Sequence, residues 1–184
     1  MDNVLVFVSI VIGVGVTDEM VSLHRLLRAR HRVRWDWAVP LVALLVLLTI
    51  VQMWWTIAQP DAKSMTIGAF LPTLGELILL FLLASAVFPD EVPEEGLDLR
   101  TFYHDQGAYI WTLFAAALAW LIVTDIVVNY PKVGLARAVN SHIGDSIALA
   151  LMTSLIFVRK RWWHAVGLLF LAGGPIGWLS RSLS

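Results

Sequence analysis

The sequence predicts an all-α integral membrane bundle of six transmembrane helices, forming a single domain over residues 1–184. Three observations lead there. Apolar residues make up 59% of the chain and charged residues only 15%, where a soluble domain carries about 45–50% and about 25%. The mean hydropathy is +0.77. The apolar residues gather in six continuous runs of about 20, the length a helix needs to cross a bilayer. Lipid offers the backbone no partners, so each run is expected to be helical; the runs are too long and too continuous for barrel strands. The same composition excludes disorder. The net charge of −1 excludes a basic nucleic-acid binder, and the absence of cysteine excludes disulfides and Cys-ligated zinc or iron–sulfur centres.

The six segments fall at about 4–24, 38–58, 65–88, 106–130, 138–158 and 162–180. The first is expected to remain as a mature helix. Asp2 is its only early charge, and no small-x-small cleavage site follows. The first, third and fifth loops hold nine of the thirteen basic residues, among them Arg25, Arg28, Arg30, Arg32, Arg34, Arg100, Arg159 and Arg161. The other side has Lys63, Lys132, Arg137 and Arg181. Positive-inside logic places the odd loops in the cytoplasm and both termini outside it. Trp35 with Trp37, Trp54 with Trp55, and Trp162 with Trp163 read as interfacial anchors.

The first loop sets five Arg against Asp36; the third sets Asp90, Glu91, Glu94, Glu95 and Asp98 against Arg100. Exposed ion pairs contribute only about 0–1 kcal/mol, so two separately solvated loops are expected. The acidic 90–98 run is then free to dock a cytoplasmic protein.

Charges inside the apolar runs cost at least about 2.5–3.5 kcal/mol on insertion scales and usually face the bundle interior. At about 1.5 Å per residue, Glu76 falls near mid-membrane. Asp18 and Glu19 fall toward the inner side, with Ser22 and His24 below them. Gln52, Asp125, Asn129, His142 and Asp145 fall toward the outer side. Asp125 and Asn129 share a helix face, as do His142, Asp145 and Ser146. Together these groups form a ladder of titratable side chains of the sort a proton or small cation needs in place of its hydration shell. Pro72 and Gly75 beside Glu76, and Gly173-Gly174-Pro175 in the last segment, interrupt two helices. Val16-Thr17-Asp18 and Val123-Thr124-Asp125 match, which suggests a 3+3 inverted repeat, although the match does not persist through the second and fifth segments.

The expected function is therefore a channel or transporter for a small cation or proton, in a homo-oligomer because one chain of this length encloses little pore. Two alternatives stand beside it. His142, Asp145 and Asp125 offer nitrogen and oxygen ligands to a divalent metal in an intramembrane enzyme, although no HExxH or Gly-x-Ser-x-Gly run is present. A non-catalytic membrane partner or sensor subunit would dock through its charged loops. The sequence does not identify a cofactor. Lys63, Lys132 and Lys160 lie at or beyond helix ends, which disfavours a retinal Schiff base.

The run from Val16 through Arg30 (VTDEMVSLHRLLRAR), then Val33-Arg34-Trp35-Asp36-Trp37, Val51-Gln52-Met53-Trp54-Trp55, Phe88-Pro89-Asp90 and Asp98-Leu99-Arg100-Thr101-Phe102-Tyr103, resembles a widespread group of bacterial multi-pass inner-membrane proteins. The resemblance covers about the first 105 residues. It implies a bacterial inner-membrane setting and carries no activity with it.

Overall fold

A computed structural model describes residues 2–58 and 67–179. Lys63, Arg181 and the outer ends of the third and sixth expected segments lie outside the described residues. The chain is all-α apart from one two-stranded contact. Its helices are α1 (Asp2–Arg28), α2 (Ala38–Ile57), α3 (Ile67–Ala86), α4 (Leu99–Val133), α5 (Leu135–Asn140), α6 (Ile143–Phe157) and α7 (Arg161–Leu179). Three of them, α1, α2 and α4, are long and apolar enough to cross a membrane; α3 and α6 contribute shorter apolar stretches.

Local chemistry explains the helix ends. Arg25 and Arg28 sit in the last turn of α1, where cations meet the negative end of the helix dipole. At α2 the Asp36 carboxylate accepts the Ala38 N–H at 3.0 Å, and Pro40 falls in the first turn, where its missing N–H matters least. The fourth helix starts at Leu99, well before the expected 106. The Asp98 side chain caps it, accepting from Arg100 N at 2.8 Å and Thr101 N at 3.4 Å. Its first two turns are polar and need no lipid to be helical. At 35 residues α4 is about 52 Å long, well beyond the hydrocarbon thickness.

The fifth segment also departs from expectation. It breaks at Ser141–His142 into α5 and α6. Ser141 Oγ turns back to donate to the Ala138 carbonyl at 2.7 Å, and His142 occupies the N-cap position of α6 without a side-chain cap bond. α3 and α7 stay helical through Pro72 and Pro175.

Neighbouring helices pack in the cyclic order α1, α3, α4, α6, α7, α2 and back to α1. Leu26, Ile50, Leu83, Trp111 and Leu155 are almost wholly buried between them. The outer surface is apolar as well: Leu169 is 79% exposed and Phe157 77%, with Val127, Ile10 and Ile176 also bare. So much exposed hydrocarbon fits a lipid environment and not water. Some of the expected anchoring tryptophans also peg helices together. Trp54 Nε1 donates to Ser9 Oγ at 3.1 Å, and Trp163 Nε1 to Ser154 Oγ at 2.8 Å.

The first, third and fifth connections meet at one end of the bundle. There β1 (Val33–Arg34) and β2 (Leu97–Asp98) pair in parallel. Arg25 donates to the Asp90 carbonyl at 2.7 Å, and Arg161 to the Asp36 carboxylate at 2.7 Å. The two oppositely charged loops are thus joined, contrary to the expectation of separate solvation. The reason lies mainly in backbone and apolar contact. Val33 and Leu99 are buried at the junction. Gly96, at φ +102°, lets the Arg32 carbonyl approach to where a Cβ would stand 2.9 Å away. The Arg34–Asp98 pair, at 3.6 Å and with Arg34 86% exposed, adds little.

Candidate functional site

Glu76 stands on the inner face of α3 and is 8% exposed. It borders a partly open cavity of about 160 Å³ lined by five helices. Thr49 and Gln52 of α2 bring polar groups to the same space; Phe114, Met152 and Pro175 close it from α4, α6 and α7. Such a volume has room for several waters. Glu76 Oε2 has no hydrogen-bond partner among the described residues. One turn away, Trp120 lies flat against Gly75: a Cβ there would meet the indole at 2.8 Å. Its Nε1 donates to the Pro72 carbonyl at 2.8 Å. The Pro72–Gly75 notch therefore holds α4 against α3 and fixes the level of Glu76.

Toward the loop-paired end, α1 meets α3 through a bond from Ser85 Oγ to Asp18 Oδ2 of 2.7 Å. Glu19 is 1% exposed, and its Oε2 is likewise unpartnered among the described residues. Toward the opposite end, Asp125, Asn129, His142 and Asp145 come together as expected. His142 Nε2 lies 2.9 Å from Asp125 Oδ2, and Nδ1 lies 2.8 Å from Asp145 Oδ2. Asn129 donates to the other Asp125 oxygen at 2.9 Å and accepts from Lys132 at 3.3 Å.

Ionised carboxylates only accept, so both ring nitrogens donate and the histidine is an imidazolium. The three side chains expected to ligate a metal, Asp125, His142 and Asp145, are hydrogen-bonded to one another here. Among the described residues no group of three or more His, Asp or Glu is placed to hold a metal ion.

The expected ladder is really three separate stations. Ser85, level with Asp18, is nine residues from Glu76, about 13 Å along the axis. Because Trp120 is level with Pro72 and α3 and α4 run in opposite directions, Glu76 and Asp125 are also separated by about 13 Å. No direct proton hop spans that distance; water in the central cavity would have to.

A second polar cluster escaped the sequence reading. Trp111 Nε1 donates to the Tyr103 hydroxyl at 2.9 Å, and that oxygen lies 2.8 Å from His164 Nδ1. His164 Nε2 lies 2.9 Å from the Val158 carbonyl and can only donate to it. Nδ1 is therefore the ring's acceptor and takes the tyrosine proton. This chain ties the start of α4 to the start of α7. His164 lies just after the α6–α7 link, and its Tyr103 partner is 61 positions away in sequence. The i, i+8 spacing of Tyr103 and Trp111 on one face of α4 was the only local sign.

The chain matches no protein-family model, and no curated protein or solved structure matches it. Its function must be argued from the geometry alone.

Proposed function

We propose that the protein is a multi-pass membrane channel or carrier for a proton or small cation, with Glu76 as the central binding group. The carrying observation is the pairing of an unpartnered, buried carboxyl oxygen with a polar-edged cavity inside a ring of helices. An acid in such a place costs stability, and one of its oxygens has no partner among the described residues. Gln52 and Thr49 supply further oxygen ligands. Asp125, with its imidazolium clamp, and Asn129 and Asp145 form the outer mouth; Asp18 and Glu19 form the inner one.

The finer arrangement belongs to the same proposal. Six helices cross a bacterial inner membrane, the odd loops lie in the cytoplasm, both termini lie outside, and copies associate. The packing supports six crossings better than an inverted repeat. α1 packs on both α2 and α3, whereas α4, its counterpart, packs chiefly on α3 and α6. The natural chain has no cysteine, so single-cysteine labelling tests the topology cleanly. Arg30→Cys should be protected from an impermeant external thiol reagent and Lys132→Cys labelled by it; the reverse pattern overturns the orientation.

Function is tested by reconstituting the full chain in liposomes with an internal pH dye and imposed potassium and sodium gradients. Glu76→Gln preserves size and should reduce flux by about tenfold or more, as expected for the sole mid-membrane acid. Equal flux in wild type and variant would remove the role. A second reading, docking of a cytoplasmic protein, keeps one supporting feature: Glu91, Glu94 and Glu95 remain exposed although the ends of their loop are pinned.

A further inference from the structure

The loop-paired end of the bundle contains a second cavity of about 170 Å³ that the transport proposal does not use. Arg100 from the first turns of α4, Arg159 from the α6–α7 link and Arg161 from the start of α7 all border it. Asp36 is the only carboxylate on its wall, and that group is already engaged. One oxygen accepts the Ala38 N–H at 3.0 Å, and the other accepts Arg161 at 2.7 Å. Arg100 and Arg159 have no ion-pair partner among the described residues. The Tyr103–His164 pair on the same wall is closed on itself, with its protons committed to neighbours. Two guanidinium groups bordering one small space with no free carboxylate repel each other until an anion enters. Their forked donors fit the several oxygens of a phosphate group.

Trp37 borders the cavity, with Arg161 5.6 Å above the indole ring. The same Trp37 borders a groove of about 500 Å³ between α2 and α7. Leu41, Leu44 and Leu48 line one flank; Ala165, Ala172 and Ile176 line the other. This surface faces outward: Leu44 is 51% and Ile176 62% exposed. From Trp37 to Leu48 the groove follows α2 for eleven residues, about 16 Å, which is close to the depth of one leaflet's hydrocarbon. Trp37 lies at its charged end, as aromatic residues do at headgroup level.

A cationic cup and an apolar trough of leaflet length that share Trp37 as a wall together suit one kind of ligand. We infer that this end of the protein binds an anionic phospholipid, with its phosphate between Arg100 and Arg159 and an acyl chain along the α2–α7 groove. A free phosphate would use the cup and leave the trough without purpose. The inference shares with the transport proposal only the membrane setting.

Native mass spectrometry of the delipidated full chain tests it, with phosphatidylglycerol, phosphatidylcholine and inorganic phosphate as probes. One phosphatidylglycerol should bind at about tenfold or more lower concentration than phosphatidylcholine, and added salt should narrow that gap. The double variant Arg100→Gln, Arg159→Gln changes two exposed side chains and should erase the preference with the helical content intact. Ala172→Trp, which fills the trough, should weaken phosphatidylglycerol binding as well. Glu76→Gln should leave the lipid preference as it is, so failure of the transport proposal is read separately. Equal binding of the two lipids by the wild type overturns the inference, as does a preference that survives the double variant. Displacement of phosphatidylglycerol by equimolar inorganic phosphate, with Ala172→Trp silent, would reassign the cup to a soluble anion and overturn the lipid assignment.

Discussion

Glu76 and the Asp125–His142–Asp145 cluster are made of the same kinds of residue and are handled in opposite ways. In the cluster every strong group is answered. The imidazolium lies between two carboxylates at 2.9 and 2.8 Å, and Asn129 and Lys132 extend the chain of bonds. Both aspartates are also about half exposed. Such a cluster clips α4 to the α5–α6 junction, a structural role it has alongside its place at the proposed outer mouth. Glu76 is buried, borders a cavity and leaves an oxygen unanswered. An unsatisfied buried group lowers stability, so its presence points to a use. Titratable residues in a membrane are informative less by their identity than by whether the fold satisfies them.

The sharpest way to break this contrast is Glu76→Leu. It should abolish flux and also raise stability, by about 1–3 kcal/mol, because an unpartnered buried acid is replaced by hydrocarbon. Thermal unfolding in detergent reads the second effect; a destabilised variant would mean that Glu76 has a structural partner after all. Gly75→Ala should come next. The new Cβ meets the Trp120 ring at 2.8 Å, and overpacking of that kind costs about 1–3 kcal/mol. A variant as stable as wild type would show that the notch is loose.

His142→Ala should cost only about 1 kcal/mol, since its partners are half in solvent, and should change flux less than about threefold. Its signature is pH dependence. The ring bonds both carboxylates only while it carries both protons, so its contribution is lost as rising pH deprotonates it. The stability gap between wild type and variant should therefore close toward alkaline pH; a gap that widens would contradict the imidazolium assignment. Smallest of all, Lys132→Ala should shift stability by less than about 0.5 kcal/mol, because its bond to Asn129 is long and exposed.

Much of this was legible in the sequence. Each of the six apolar runs falls on a helix, three of them long and apolar enough to cross a membrane, and the i, i+4 and i, i+3 spacings of Asp125, Asn129, His142 and Asp145 announced their cluster. Lipid and helix period act locally, so local pattern reports them. The start of α4 was missed because a capping aspartate continues a helix into polar sequence that hydropathy does not score. The joining of the first and third loops was missed because charge was weighed, while two backbone strands and a close approach at Gly96 made the contact. Tyr103, Trp111 and His164 gave almost no linear sign.

By itself the sequence determined that this chain is helical and apolar outside, and that its few buried charges are confined to known positions, because backbone hydrogen bonding in lipid depends only on composition and length. Tertiary structure alone decided which of those charges find partners. It tied His142 between two aspartates, left Glu76 facing a cavity, and gathered three arginines from distant segments around one cup. Pairing requires contact in space, and which residues meet depends on how helices far apart in the chain pack together.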